Sequence, residues 1–243
     1  MTLVLGSSGY AYDEWMNGVW YPEGLKKKDQ LRYLATRFDS VEINYTFRRY
    51  PSEKTLDSWV EQTHPGFLFT LKANQQITHW RRLADAGDPI ERFMGLVRRL
   101  GDRLGVILFQ CPPNLPFDPE VVSSFLDLLP PDARYAMELR HPSWEDARDL
   151  LRERGVAWCT ADTDDQPATV ESWEPFGYLR LRKENYSEEE LAAWAGRIRS
   201  ATSGGHDVFC YFKHEDKTVG PRAAERLAEL LGVARGADTA EAG

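Results

Sequence analysis

The chain has 243 residues, 42% apolar and 12% aromatic, enough for one sizeable core, and no break in composition argues for two domains. A formal charge of −8 and a pI near 5.3 argue against attraction of the whole surface to nucleic acid or anionic lipid, although a local basic cleft stays compatible with them. The chain enters an apolar run at Leu3 with no charged leader, and no apolar run approaches a membrane span, so a cytoplasmic protein without a membrane partner is expected.

In chain order, Leu3 to Leu5 reads as a buried strand opening into a tight turn at Gly6-Ser7-Ser8-Gly9, whose amides either hold an anion or only let the chain leave the sheet. Tyr10, Tyr12, Trp15, Trp20 and Tyr21 then crowd one loop, a wall or plug over the first strand end. Asp29 begins a helix with Leu31, Leu34, Ala35 and Phe38 on one face. Residues 40–47 read as a second strand, with Val41, Ile43 and Tyr45 on one face and Glu42 and Asn44 on the other. A helix from Pro51-Ser52 through Leu56, Trp59 and Val60 leads to a third strand, residues 67–72, ending at Lys72. The next loop, residues 74–83, carries Thr78 and His79.

Asp88-Pro89 reads as an N-cap followed by proline at the first helical position, and Ile90, Phe93, Val97, Leu100 and Leu104 follow at helical spacing. Residues 105–109 form a fourth strand before Gln110-Cys111-Pro112-Pro113, and Asp118-Pro119 repeats the capping device. In the fifth strand, Tyr135, Met137 and Leu139 alternate with Ala136, Glu138 and Arg140, placing a carboxylate and a guanidinium on one face. His141 and Pro142 end it, and Ser143 is expected to cap the following helix. A sixth strand, residues 156–161, ends in Asp162. Residues 162–174 lack an apolar stripe, so the sixth connection should be short or irregular. The seventh strand, residues 176–182, puts Tyr178, Arg180 and Arg182 on one face. Ser187 to Glu190 is a capping box, residues 207–213 an eighth strand, and residues 220–231 a closing helix; residues 232–243 read as a disordered tail. Cys111, Cys159 and Cys210, each inside an apolar run, read as buried reduced thiols.

Eight strands alternating with about seven helices predict one (β/α)8 barrel over residues 1–231, with an aromatic-rich loop after the first strand and its chemistry at the C-terminal strand ends. Several motifs carry a resemblance covering Leu3 to Leu231: Gly6-Ser7-Ser8-Gly9-Tyr10 with Trp15, Gly18, Tyr21 and Pro22; Val41-Glu42-Ile43-Asn44 with Thr46-Phe47; Thr78-His79; Leu108-Phe109-Gln110 with Pro112-Pro113; and Glu138-Arg140-His141 with Trp144. The sequence resembles the YecE-like family, domain of unknown function 72. That resemblance implies a single TIM-type barrel and brings no established reaction. Arg48, Arg182 and Lys213-His214-Glu215 depart from the family's common residues.

Three functional readings follow. The first is an enzyme for a small anionic, phosphate- or carboxylate-bearing substrate. Glu42, Glu138, His79 and His141 are its candidate acids and bases, and Asn44, Lys72, Gln110, Arg140, Asp162, Arg180, Arg182, Lys213, Trp15 and Trp144 its candidate binding residues, with no cofactor or metal. Its bland counterpart is a buried ion-pair network that closes the barrel. The second is a metal-dependent phosphodiesterase or nuclease resembling endonuclease IV, using His79, Glu138, His141, Asp162, His214 and Glu215; poor ligand spacing and nearby cations speak against it. The third is a non-catalytic barrel that binds nucleic acid or a metabolite by stacking on Trp15, Trp20, Trp80 and Trp144.

Overall fold

The computed structural model describes residues 2–168, 172–213 and 219–233. Eight parallel strands close into a barrel in sequence order: β1 (Leu3–Ser8), β2 (Ser40–Ile43), β3 (Leu68–Lys72), β4 (Leu104–Gln110), β5 (Arg134–Glu138), β6 (Val156–Asp162), β7 (Gly177–Leu181) and β8 (Val208–Phe212). Closure comes from β1 pairing with β8, Leu3 opposite Val208 through Ser7 opposite Phe212. The helices are α1 (Gln30–Ala35), α2 (Tyr45–Arg48), α3 (Glu53–Glu61), α4 (Gly87–Val97), α5 (Pro119–Asp127), α6 (Arg148–Glu153), α7 (Glu188–Ser203) and α8 (Val219–Leu231).

The period-two pattern of the strands divides the apolar residues into two groups. Outward side chains such as Val41, Phe69, Ile107, Met137 and Leu179 join the helices in one large core. Inward ones, among them Val4, Val106, Leu108, Ala136, Phe176 and Phe209, form a second cluster inside the barrel. Above that plug sit two tyrosines. The Tyr211 hydroxyl bonds Ser40 Oγ at 2.8 Å and Thr70 Oγ1 at 2.7 Å, and the Tyr178 ring lies 5.7 Å from the Tyr211 ring. Tyr211 therefore ties β8 to β2 and β3 across the lumen. Gly6 of β1 is required at its place, because a Cβ there would stand 2.3 Å from the Ser40 carbonyl oxygen.

The capping signals hold in two cases. Asp118 accepts from the amides of Glu120 and Val121 ahead of Pro119, worth about 1 kcal/mol of helix stability. Ser187 and Glu190 form the reciprocal capping box of α7. They fail in two others. Helix α4 begins at Gly87, so Asp88 lies within its first turn rather than at its cap. After β5 a 3-10 turn, Pro142–Ala147, is capped by His141, whose Nδ1 accepts from the Ser143 amide, and Ser143 Oγ instead takes the amide of Phe117.

The second strand also departs from expectation. It stops at Ile43, because Asn44 turns into the right-handed helical region and residues 45–48 form α2, anchored by Thr46 Oγ1 donating to the Lys72 carbonyl at 2.6 Å. Conversely, β1 runs on through Ser8, and only Gly9, at φ 95°, takes the left-handed turn. The residue 74–83 loop contains a π-helical turn, Gln76–Trp80. Among the described residues no helix separates β6 from β7, and the three cysteines are free and buried. The aromatic loop after β1 packs as a cluster, with Trp15 and Tyr21 buried and Trp20 against Tyr33 and Phe38. No helix among the described residues is long and apolar enough to cross a membrane.

Candidate functional site

The C-terminal layer of the lumen is polar. Ser8, Glu42, Lys72, Gln110, Glu138 and Arg180, from β1, β2, β3, β4, β5 and β7, are all buried there and linked by hydrogen bonds. Alternation explains the set: each stands two or four residues beyond an inward apolar or small residue of its own strand.

Arg180 is the hub. Its Nη2 and Nε donate to Glu42 at 2.7 and 3.0 Å, and its Nη1 donates to Glu138 Oε2. Glu42 also accepts from the hydroxyls of Ser8 and, at 2.6 Å, Tyr178. Glu138 accepts from Gln110 Nε2 at 2.8 Å and from Arg140 Nε and Nη2 at 2.9 and 2.6 Å, with Arg182 Nη1 at 3.5 Å. Burial alone raises a carboxyl's pKa. At Glu42 it is outweighed by the charge and hydrogen bonds of Arg180 and by the Ser8 and Tyr178 hydroxyls, and at Glu138 by Arg180, Arg140 and Arg182. Both stay below the usual carboxylate range and are ionised at neutral pH.

Lys72 is different. Its Nζ donates to Gln110 Oε1 at 2.6 Å and lies 3.9 Å from the centroid of the Phe47 ring. Gln110 has no alternative orientation: its amide nitrogen is committed to Glu138, so its oxygen faces the amine. Unlike Arg180, Lys72 makes no ion pair among the described residues. Burial first, then Arg180 and Lys213, outweigh the two glutamates and push its pKa down to about 7. His79 packs edge-on against the same Phe47 ring at 4.9 Å and bonds Thr78 through Nδ1; burial, Lys72, Arg140 and Arg82 lower its pKa.

Beside this layer the wall opens. The β5–β6 ladder ends at Met137 opposite Trp158, although β6 continues to Asp162. A cavity of about 210 Å³ lies there, lined by Glu138, Arg140, Arg148, Thr160 and Arg182 among others. Thr160 is buried, and its hydroxyl has no partner among the described residues. Arg140, with a third of its side chain exposed, and Arg182, with a quarter, reach this space from the Glu138 carboxylate. Arg148 is held by Glu145 and lies over the Trp158 ring.

The residues singled out in the sequence thus fall into two groups. Glu42, Glu138, Lys72, Gln110, Arg140, Arg180 and Arg182 converge, and Asn44 joins them through Nδ2 donating to Ser8 Oγ. Lys213 directly follows β8, and its charge helps to lower the Lys72 pKa. The others stand apart. Asp162 takes the opposite parity to Cys159 and Ala161, and its carboxylate accepts from the Ala168 amide and the Tyr186 hydroxyl, fixing the β6–β7 loop. His141 is occupied with its cap. Trp15 and Trp144 are 1% exposed and belong to the core, and Trp20 is packed on its neighbours; only Trp80 of the four tryptophans is exposed. Among the described residues no group of three or more His, Cys, Asp or Glu side chains is placed to hold a metal ion; His214 and Glu215 lie outside them. Ser8 and Tyr178, which complete the Glu42 shell, are not site residues by the sequence pattern: Ser8 falls in a stretch that reads as a turn, and Tyr178 only shares a face with Arg180.

A closed eight-stranded parallel barrel with charged side chains gathered at the C-terminal strand ends defines the class of protein. The chain belongs to the family described as protein of unknown function DUF72, whose model matches residues 4–242. It is 29% identical over 151 residues to the UPF0759 protein YecE of Escherichia coli, covering 59% of this chain and 54% of that protein, so the aligned part spans about half the length of this relative. The UPF0759 protein YunF of Bacillus subtilis is 22% identical over 254 residues, covering 88% and 90% of the two chains. A DUF72 family protein from Thermotoga maritima superposes with a TM-score of 0.81 at 24% identity, covering 96% of this chain and 100% of that one. One from Enterococcus faecalis gives 0.77 at 16%, covering 96% of each. The structural likenesses show the shared fold.

Proposed function

We propose that this chain is an enzyme that binds a small phosphate- or carboxylate-bearing molecule at the C-terminal face of the barrel, its anionic group entering the cavity between β5 and β6. One observation carries the reading: Glu138 receives three guanidinium groups, from Arg140, Arg180 and Arg182, and Arg180 is already shared with Glu42. The site is short of negative charge. Burial, Arg180 and Arg140 depress even the Arg182 pKa against the pull of Glu138, so a second anion would relieve the crowding of cations. Two partly exposed guanidiniums are donors suited to phosphate or carboxylate oxygens. In this reading Glu42 and Glu138 anchor the arginines, because their lone pairs are taken up, and proton transfer falls to Lys72 and His79.

Calorimetric titration with inorganic phosphate and with small carboxylates tests this. Saturable binding that is weakened at least tenfold by Arg182→Met, in a variant that melts like the parent, is the expected result. Absence of binding by both anion types at low salt would overturn it.

A further inference from the structure

Resting on the anion site just described, we infer that its ligand is a small dianion, a dicarboxylate or a phosphorylated carboxylic acid. One anionic group is held by Arg140 and Arg182 and the other by Arg148.

The charges around the cavity between β5 and β6 come first. Its lining holds three guanidiniums, Arg140, Arg148 and Arg182, and two carboxylates, Glu138 and Glu145. Glu138 is spent, because it also takes Arg180, which is shared with Glu42. The network therefore sets four guanidiniums against three carboxylates. Glu145, the partner of Arg148, has 61% of its side chain exposed, so solvent screens it and it offsets Arg148 only in part.

The guanidinium edges come second. Arginine has five N–H donors, and a carboxylate fork occupies one edge. Arg148 gives Nε and Nη2 to Glu145 at 2.6 and 3.1 Å, which leaves both Nη1 hydrogens and one on Nη2 along the other edge. The Trp158 ring, 4.0 Å from Arg148 Cζ, covers a face rather than an edge, so the group is oriented before a ligand arrives. Arg140 likewise gives Nε and Nη2 to Glu138, and its Nη1 has no partner among the described residues. Arg182 approaches Glu138 through Nη1 at 3.5 Å and makes no hydrogen bond among the described residues.

These donors have separate anchors. Arg140 lies just beyond β5 and Arg182 just beyond β7, and one carboxylate draws them together. Arg148 opens α6 and answers to a different carboxylate. Two independently held donor sets in one cavity suit two acceptor groups on one ligand. The β6–β7 connection closes the cavity through Thr163 and Gln166, whose backbones bond each other, and adds no charge. A volume of about 210 Å³ equals about seven waters of liquid, below the range of drug-sized ligands, which selects a molecule with few carbons between its charges.

The test is calorimetric titration near neutral pH with succinate, with its monomethyl ester and with inorganic phosphate, on the parent chain, Arg148→Met and Glu145→Gln. The ester matches succinate in length but carries one charge. Succinate is expected to bind the parent about tenfold more tightly than the ester or better, the scale of a charge-assisted contact. Arg148→Met should remove most of that preference and leave the ester affinity within about twofold. Glu145→Gln strips Arg148 of its one ion-pair partner among the described residues and should strengthen succinate binding but not ester binding. A preference absent from the parent, or one that persists in Arg148→Met, overturns the inference. Should Arg148→Met not fold, Glu145→Gln decides, since succinate affinity no higher than the parent's overturns it equally. If phosphate and the ester bind but succinate has no advantage, the anion site stands and only the second subsite fails. If none of the three binds, both readings fall together.

Discussion

Arg180 and Glu42 meet inside the barrel as a paired guanidinium and carboxylate, Nη2 to Oε1 at 2.7 Å and Nε to Oε2 at 3.0 Å, with neither side chain exposed at all. Their attraction offsets a desolvation cost of several kcal/mol for each ion, so the pair adds little net stability but is expensive to break. Replacing Arg180 with Met strips Glu42 of its one ion-pair partner among the described residues and Glu138 of one of three. The expected loss is about 3–5 kcal/mol, read from urea unfolding. A loss below about 1 kcal/mol would show that the pair is not desolvated as described.

Acid should weaken the fold through the same layer. Glu42 and Glu138 have folded pKa values held below the ordinary 4.5, so they bind fewer protons folded than unfolded. Their contribution is complete above that value and is lost as pH falls below it. Melting temperature should therefore drop below about pH 4.5 in the parent, and Glu42→Gln should flatten part of that drop while lowering stability at pH 7. An unchanged acid limb in Glu42→Gln would contradict the buried, ionised state assigned to it.

Much of this was legible in the sequence for one physical reason: period-two alternation decides which face a strand residue takes. It puts Glu42, Glu138 and Arg180 on the polar faces of their strands. Alternation stops informing where the strand stops. Alternation gives Asn44 and Tyr45 faces on a strand that ends at Ile43, and Arg140 reaches Glu138 from beyond the end of β5. Asp162 shares a strand end with the site but takes the wrong parity for the lumen. The tryptophans are ambiguous in another way, since an aromatic side chain in a connecting segment reads the same whether its ring stacks on a ligand or on its neighbours; Trp15 after β1 and Trp144 after β5 bury theirs. That the glutamates are saturated by arginine, leaving Lys72 as the titratable group, depends on cross-barrel distances that no local pattern encodes.

Lys72 yields a stability test that is independent of any substrate. Its folded pKa near 7 lies below the ordinary 10.5, so between those values the unfolded chain binds the extra proton. Stability should then rise with pH across that window, the reverse of a lysine gaining a partner. Below about pH 7 the full cost of burying the ammonium is present. Lys72→Met removes it, and the variant should be more stable than the parent by a few kcal/mol at pH 6, with the difference shrinking towards pH 10. Chemical denaturation at the two pH values measures this; equal differences at both would mean that the amine is not perturbed.

Arg140 separates support of the fold from service to a ligand. It shares Glu138 with Arg180, Gln110 and Arg182, so Arg140→Met leaves that carboxylate with a buried cation and an amide donor still in place. With a third of its side chain exposed, Arg140 also loses part of its Coulombic worth to solvent. Folding stability should fall by about 1 kcal/mol or less, well short of the Arg180→Met loss. Phosphate affinity should fall by about 2 kcal/mol, the usual scale for a charge-assisted hydrogen bond out of water. The Glu138→Gln, Arg140→Met double variant sharpens the contrast. If Arg140 were chiefly structural, its single variant would be strongly destabilised and the second change would rescue it by removing the unpaired charge. If it serves a ligand, the single variant melts close to the parent with phosphate binding weakened as above, and the double variant is the less stable of the two, because Arg180 and Arg182 lose the carboxylate they share. Paired thermal melts and calorimetry on these two variants distinguish the outcomes.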